Sequence, residues 1–520
     1  MNDQSNDSPA DVQSKLRSAK SLCLDLLLPK LAISGICDEI GHKFRDCTYT
    51  PMVVVWMFIT QVLSADHGCQ QAVTRFNAYR VARGLWKVSS ETTAYCKARC
   101  RLPEQLFERL LAWTAKRCEE VRSDAWLFHG RIVEMVDGWT VTMADTEENQ
   151  EVYPQMTSQK RGCGFPIARM IGVFSMATGA INHMAMAPYK GKQTGETSLL
   201  RSILDRILPN RIILADRYYS SFWLLAAGEM RGIDLVARVH HLRKVDFRRG
   251  LKQGYLDQLI DYVKPQRPKW MSVKEYATFP STILVRHLKY KVEQQGFRTR
   301  EITLATTLID AEVYKADELA ELYHRRWGVE LHIRSLKTQM QMDHLRCKSP
   351  QMVRKELHCH MIGYNLVRCA MLASALRFNL CPTRLSFTGA MQALEEFAAT
   401  LRLASGRREQ QWDNLLEVIS ELGVGNRPGR QEKRELKRRP KNYKLMKGPA
   451  IRTETVTPQQ LRPVPFSIAV GTAVASRPPH RSVLEELPHT APTLGRSRNC
   501  FTIAVQPASP ALSASVHGTG

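Results

Sequence analysis

The sequence predicts an α/β protein in which a mixed β-sheet is flanked by helical regions on its N- and C-terminal sides. Apolar residues recur every three or four positions over 21–120, which is typical of helices. From Gly130 onwards, short apolar runs with strand composition alternate with helical stretches. Helical spacing returns over 350–403. Because the first three strand candidates follow one another without a helix between them, the sheet should begin as a meander.

The N-terminal helical region is predicted to span 20–125, after a polar segment, 1–19, that we expect to be disordered. Basic side chains along this region suggest a module that contacts DNA: Arg80, Arg83, Lys87, Lys97, Arg99 and Arg101. A solvated helix surface explains the same charges equally well, so both interpretations stay open.

Six strand candidates and three helices make up a predicted catalytic core over 130–345. The strands are 131–136, 167–174, 181–187, 211–215, 234–239 and 301–308, and the helices are 195–207, 220–230 and about 316–341. The residues at about 240–300 are rich in Lys, Arg, Gln, Pro and aromatic side chains and lack a clear helical period. They predict a mostly β insertion late in the core.

Three segments of different character are predicted beyond the core. Residues 350–425 are helical. Residues 426–450 form a basic arm, in which Arg427 to Lys447 includes ten Lys or Arg and two Glu. This composition is typical both of an arm that contacts DNA phosphates and of a solvated linker, so both interpretations stay open. Residues 451–520 are rich in Pro, Ser, Ala and Thr without a period, which predicts disorder.

The charge of the chain indicates a polyanionic partner. Its 520 residues include 74 Lys and Arg against 50 Asp and Glu, a formal net charge of +24. Self-repulsion on that scale destabilises a compact protein, and duplex DNA is the commonest polyanion that would neutralise it. The most apolar run, Met52 to Leu63, is shorter than the roughly 20 residues of a membrane span, so no membrane partner is expected. Thirteen scattered cysteines without a secretion signal favour free thiols and a cytoplasmic location.

A polar stripe marks the last predicted helix of the core. At 100° per residue, Tyr323, Arg326, Glu330 and Lys337 fall within about 60° of one another. A stripe that faced the core would be Leu or Ile. The alternative is a surface ion pair between Arg326 and Glu330, worth only a few tenths of a kcal/mol.

Two aspartates extend this stripe into a candidate metal site. Asp137 and Asp216 each end a predicted strand, where side chains project into the crevice at a sheet edge. Three carboxylates gathered there with Glu330 would repel one another unless a cation lay between them. Oxygen ligands favour Mg²⁺ or Mn²⁺, and two such ions suit phosphoryl transfer. Asp145 is a rival for the first ligand, but Asp137 is preferred because it directly ends the strand.

The motifs together resemble a known family. V-D-G-W-T-V-T-M-A-D-T-E-E-N-Q (136–150), L-A-D-R-Y-Y-S-S (214–221) and the spacing Y-x2-R-x3-E-x6-K (323–337) are similar to blocks of the DDE-type insertion-sequence transposases named for insertion sequence four. The resemblance extends from about Pro51 to Lys447 and does not cover the tail after Ile451.

The resemblance implies a ribonuclease H-like catalytic core with a β insertion between the second aspartate and the glutamate. It implies that Asp137, Asp216 and Glu330 hold catalytic Mg²⁺ or Mn²⁺, with two ions expected. It also implies that four side chains of the signature helix contact the DNA of the transposon end: Tyr323, Arg326, Trp327 and Lys337. An aromatic residue of the insertion, Trp270, is either a base-stacking residue, as in relatives, or a buried core tryptophan.

The resemblance further implies a transposase that binds terminal inverted repeats and performs metal-dependent cleavage and strand transfer. A nicked end would provide a 3′-hydroxyl that attacks the opposite strand, and the resulting hairpin would be reopened before joining to target DNA. We therefore expect double-stranded DNA as partner, a homodimer in the synaptic complex and association with the nucleoid. The alternatives are a structure-selective nuclease of the same fold and a catalytically dead DNA-binding derivative.

Overall fold

The structure is a computed structural model that describes residues 27–160, 162–291, 301–403 and 407–425. The predicted N-terminal segment 1–19, the basic arm and the C-terminal tail lie outside these residues. The described residues all belong to one unit of the chain.

From residue 27 onwards, five helices precede the first strand, as the apolar spacing predicts. They are α1 (Lys30–Glu39), α2 (Pro51–Leu63), α3 (Cys69–Ala82), α4 (Thr93–Arg101) and α5 (Glu104–Glu120). Pro51 begins α2, a position where the missing N–H of proline costs no hydrogen bond. In α5, Leu106, Phe107, Leu110 and Leu111 are buried on one face, and the helix packs mainly against the long helix Pro350–Arg377.

Within the described ranges, ten strands form one sheet that runs from the core into the insertion. They are β1 (Val133–Met143), β2 (Ile167–Ser175), β3 (Ile181–Pro188), β4 (Ile212–Ala215), β5 (Asp234–Arg238), β6 (Leu251–Gly254), β7 (Asp257–Val263), β8 (Thr282–Lys291), β9 (Glu301–Thr306) and β10 (His344–Leu345). Their order is β3-β2-β1-β4-β5-β9-β8-β7-β6, and the short β10 pairs with β1. The first three strands form an antiparallel meander, and β1, β4 and β5 are parallel. This is the ribonuclease H-like order, and it confirms the predicted fold class.

The insertion continues the core sheet. Strand β9 is antiparallel to β5, and β6 to β8 follow as antiparallel neighbours, with the short helix α9 (Val273–Thr278) between β7 and β8. A buried ion pair lies at this junction: Arg286 donates to Asp257 at 2.8 Å and 2.5 Å. The β-rich character predicted for about 240–300 therefore appears as strands that lengthen the core sheet.

Helices cover both faces of the sheet. On one face lie α7 (Glu196–Ile203) and α8 (Phe222–Glu229), which share an apolar cluster with Val136 of β1. On the other face lie α10 (Ala316–Arg325), α11 (Gly328–Arg334) and α12 (Pro350–Arg377), which share a cluster with Trp139. Alternate residues of β1 therefore point to different helical layers.

The remaining helices are α6 (Glu147–Val152), α13 (Phe387–Leu403) and α14 (Arg408–Glu421). Helix α12 is buried along most of its length between the N-terminal helices and the sheet. Among the described residues, no helix combines the length and apolar character needed to cross a membrane.

Two predicted boundaries are wrong. Strand β1 continues through Asp137 to Met143 because β2 pairs with it over this whole length and Trp139, Val141 and Met143 stay buried on one face. The predicted helix 316–341 is α10, α11 and a π-helix, Ser335–Gln339.

Candidate active site

Asp137 and Asp216 occupy neighbouring positions at the centre of the sheet. The parallel register pairs Met135 of β1 with Leu214 of β4, and β4 ends at Ala215. Two residues further along each chain, Asp137 and Asp216 therefore lie side by side, although Asp137 is in mid-strand. The Asp137 carboxylate accepts a 2.8 Å hydrogen bond from the Gly138 N–H. Burial raises the pKa of Asp137, and the Asp216 charge raises it further.

Glu330 belongs to the same group of charges. It lies in the first turn of α11, and burial, Asp137 and Asp216 each raise its pKa. The structure thus brings together the three carboxylates that the sequence predicts, from β1, from the end of β4 and from α11.

Arg326 is the nearby counter-charge. Its side chain is only 6% exposed, and its positive charge lowers the pKa of both Asp137 and Glu330. The guanidinium carbon lies 5.7 Å from the centroid of the Tyr323 ring and 5.2 Å from that of Trp327. Its Nε has no hydrogen-bond partner among the described residues. Because Arg326 is buried, it does not form the solvated surface ion pair with Glu330 that was the alternative.

Tyr323 points into the protein. It is 3% exposed, and its hydroxyl donates a 3.2 Å hydrogen bond to the carbonyl of Ala215, the residue before Asp216. This bond ties α10 to the end of β4. In this arrangement the hydroxyl supports Asp216, whereas the sequence predicts a contact with DNA phosphate.

The residues of the Y-x2-R-x3-E-x6-K motif do not all lie on one face of a single helix. Between α10 and α11, the N–H groups of Arg326 and Trp327 bond three residues back instead of four, which tightens the turn and changes the phase of the helix. Trp327 is 45% exposed at this junction. Lys337 lies in the π-helix and is partly exposed, and its charge is not among those that shift the pKa of Asp137 or Glu330.

A fourth acidic residue, Glu196, reaches the same group and was missed in the sequence. Burial raises its pKa, as do the charges of Asp137 and Asp216. The buried Tyr219 lies beside it, in the turn that follows Asp216. The one signal in the sequence is Gly138, because a residue without a side chain next to Asp137 leaves room for an approaching group.

The rival residues lie elsewhere or are covered. Asp145 is exposed beyond the end of β1 and accepts a 2.7 Å hydrogen bond from Gln150, so it stays outside the carboxylate group. Trp270 is half-buried, with the Arg201 guanidinium 3.6 Å above its ring and Trp223 edge-to-face at 6.3 Å. One ring face is therefore already occupied.

The charges of these carboxylates influence one another, but the side chains do not surround a metal position on all sides. Within the part of the chain that the structure describes, no three His, Cys, Asp or Glu side chains are close enough to form a metal cluster. The donors are nevertheless all carboxylate oxygens, which hard divalent cations such as Mg²⁺ prefer. The raised pKa values of Asp137, Glu196 and Glu330 reflect burial and repulsion that a cation would relieve.

Comparisons with known proteins point to one family. A family model described as a transposase DDE domain matches residues 132–366. The chain is 25% identical over 435 residues to the transposase InsG for insertion sequence element IS4 of Escherichia coli strain K12, a match that covers 82% of this chain and 94% of that protein. The putative transposase InsZ of the same strain is 29% identical over 183 residues, 35% of this chain and 58% of that protein. A solved piggyBac transposase synaptic complex with hairpin DNA superposes with a TM-score of 0.38 at 11% identity, covering 78% of this chain and 86% of that one.

Proposed function

Because this chain belongs to the DDE transposases and resembles the IS4-element transposase over most of its length, we propose that it cleaves the ends of a mobile DNA element and joins them to target DNA. The observation that carries the proposal is the meeting of Asp137, Asp216 and Glu330 from three separate elements. Carboxylates are seldom placed together unless they bind a cation or move a proton.

Asp137, Asp216 and Glu330 would hold the divalent cations. Two bound Mg²⁺ or Mn²⁺ ions would supply Lewis acidity to both the attacking and the leaving oxygen of an in-line phosphoryl transfer. The donor set fits them because it consists of oxygen ligands, with no histidine or thiolate among the group.

Arg326 and Tyr323 play different parts in this proposal. Arg326 offers a fixed positive charge beside the carboxylates, where the scissile phosphate would gain negative charge in the transition state. Its unpartnered Nε keeps a donor for a phosphate oxygen. Tyr323 holds the end of β4 and so orients Asp216. Trp327 and Lys337 contact the flanking DNA.

Duplex DNA is the partner in this proposal, and the net charge of +24 favours binding to its phosphates. The N-terminal helices and the basic arm 426–450 extend the contact beyond the cleavage site. Two copies of the chain act together, because two ends must be held in one synaptic complex. The protein works in the cytoplasm in association with the nucleoid.

The test uses labelled duplexes taken from the two flanks of the coding sequence of this chain. With Mg²⁺ or Mn²⁺, a transposase yields nicked ends, hairpins and products joined to a target plasmid. Nicking without hairpins or joined products would instead indicate a nuclease of the same fold. Binding without any cleavage would indicate a catalytically dead derivative, and either result would overturn the proposal.

A further inference from the structure

The loop between α3 and α4 presents a tryptophan to solvent. Trp86 is 90% exposed, and its neighbours Leu85 and Lys87 are exposed as well. A large apolar side chain that stands out from a polar surface marks a site of binding when its surroundings suit a partner. Residues 83–88, the Trp86 tip, are given no specific role by the proposed function.

Hydrogen bonds to α3 hold the backbone of the Trp86 tip. Gly84 turns the chain at the end of α3 with a φ of +70°, a conformation that glycine adopts without strain. The Arg80 side chain of α3 donates a 2.7 Å hydrogen bond from its Nε to the Trp86 carbonyl. Asn77 donates from its amide to the Val88 carbonyl at 3.1 Å and accepts from the Val88 N–H at 2.8 Å. Because the backbone is already tied to α3, binding through Trp86 costs little conformational entropy.

The charges around Trp86 favour a polyanion as its partner. Residues 70–101 contain seven Lys or Arg and one acidic residue, Glu91. Arg83 and Lys87 lie in the tip itself, and both are exposed. A second copy of this chain would bring the same cations face to face, which costs free energy. DNA phosphates attract these cations instead, and the bases offer flat apolar faces to the indole ring.

We propose that the Trp86 tip is a wedge for duplex DNA, in which Arg83 and Lys87 bind phosphates while the indole ring inserts at a base step. An apolar wedge of this kind partly unstacks the step and kinks the duplex. This inference rests on the proposed function, because it takes duplex DNA as the substrate. It gives the N-terminal helices a contact that deforms the DNA, separate from the carboxylates that cleave it.

The test measures affinity and bending of a flanking duplex by the full-length chain, in EDTA so that the duplex stays intact. Fluorescence anisotropy gives the affinity, and energy transfer between dyes at the two duplex ends, at saturating protein, reports the kink. We expect the wild-type chain to bring the ends closer together. Trp86→Ala should abolish this change and weaken binding about tenfold or more, because stacking of an aromatic ring on one base contributes about that factor.

Two controls separate the wedge from general effects on the surface. Leu31→Ala removes an equally exposed apolar side chain, 84% exposed on α1, and should leave affinity and bending unchanged. Arg83→Ala keeps the indole ring and removes a cation of the tip, so it should flatten the slope of log K against log salt by about 0.9. All three side chains are exposed, so urea unfolding should show wild-type stability for each variant.

Three results would overturn the inference. Wild-type affinity and bending in Trp86→Ala would show that the indole ring does not touch the duplex. Weaker binding with unchanged bending would make Trp86 a surface contact and not a wedge. A dimer of the wild-type chain without DNA that Trp86→Ala converts to a monomer, measured by light scattering, would show that the tip binds a second copy. In each case, cleavage of the flanking duplex by the wild-type chain with Mg²⁺ would leave the proposed function standing, whereas a wild-type chain that neither binds nor cleaves it would overturn both.

Discussion

Replacement of Tyr323 by phenylalanine separates a supporting role from a phosphate-binding role. The change removes one buried hydrogen bond, the 3.2 Å bond from the hydroxyl to the Ala215 carbonyl. A net hydrogen bond contributes about 1 kcal/mol, and a carbonyl left unpaired raises the cost, so we expect a loss of about 1 to 2 kcal/mol in the free energy of unfolding. Because Ala215 precedes Asp216, the cleavage rate should also fall, by roughly tenfold or more. Affinity for the flanking duplex should change less than about twofold, since the hydroxyl faces inward.

Urea unfolding, fluorescence anisotropy with labelled duplex and single-turnover cleavage measure the three effects. Tyr95→Phe is the matched control, because the Tyr95 hydroxyl is also buried and donates a 2.8 Å bond, to Gln61 in the N-terminal helices. It should lose similar stability and retain cleavage. If Tyr323→Phe instead left stability unchanged and weakened DNA binding by about tenfold, equal to 1.4 kcal/mol, the hydroxyl would be a phosphate ligand and not a support for β4.

Three other outcomes are expected. Burial and Asp216 raise the pKa of Asp137 in the folded state, so ionisation of this carboxyl group lowers the free energy of unfolding as the pH rises above the ordinary carboxyl value. In EDTA at pH 8, Asp137→Asn should therefore unfold at a higher urea concentration than the wild type. The difference should vanish near pH 3. Arg326→Ala should slow cleavage by roughly 10²-fold, and Arg326→Lys should rescue it poorly because an ammonium lacks the planar fork; equal single-turnover rates in all three proteins would contradict this. Deletion of Arg427 to Lys447 should flatten the slope of log K against log salt by about 0.9 for each DNA phosphate that the arm neutralises, and an unchanged slope would make the arm a solvated linker.

The order of the elements was predictable because each has a strong periodic signal. Apolar runs such as 212–215 identify buried parallel strands. The meander follows from the first three strand candidates, which succeed one another along the chain. The end of β1 was not predictable, because Asp137-Gly138 is a typical turn signal that the pairing with β2 overrides. The break after α10 had only one weak signal, Gly328 just beyond it, because a single glycine is tolerated within a helix. The break itself arises from tightened hydrogen bonds at Arg326 and Trp327.

The site was predictable only where residues adjoin strands or share a motif. Asp137, Asp216 and Glu330 were selected in this way as candidate ligands, and the comparisons support the family that the signature indicates. Glu196 gave no such signal, because only the packing of α7 over Gly138 brings it to the aspartates. The inward direction of the Tyr323 side chain also depends on tertiary structure. Helical spacing places Tyr323 beside Arg326, but it does not indicate which face of the helix packs against β4.

If Asp137, Asp216 and Glu330 together make the cleavage centre, metal-dependent cleavage of the flanking duplex depends on each of them. Asp137→Asn, Asp216→Asn and Glu330→Gln should each reduce the cleavage rate to below about a tenth of the wild-type rate while DNA affinity and folding are retained. Asp145→Asn, in the same sequence block but outside the group, should cleave at the wild-type rate. A variant of the three that kept more than about a tenth of the activity, or loss of activity in Asp145→Asn alone, would contradict the assignment of the site.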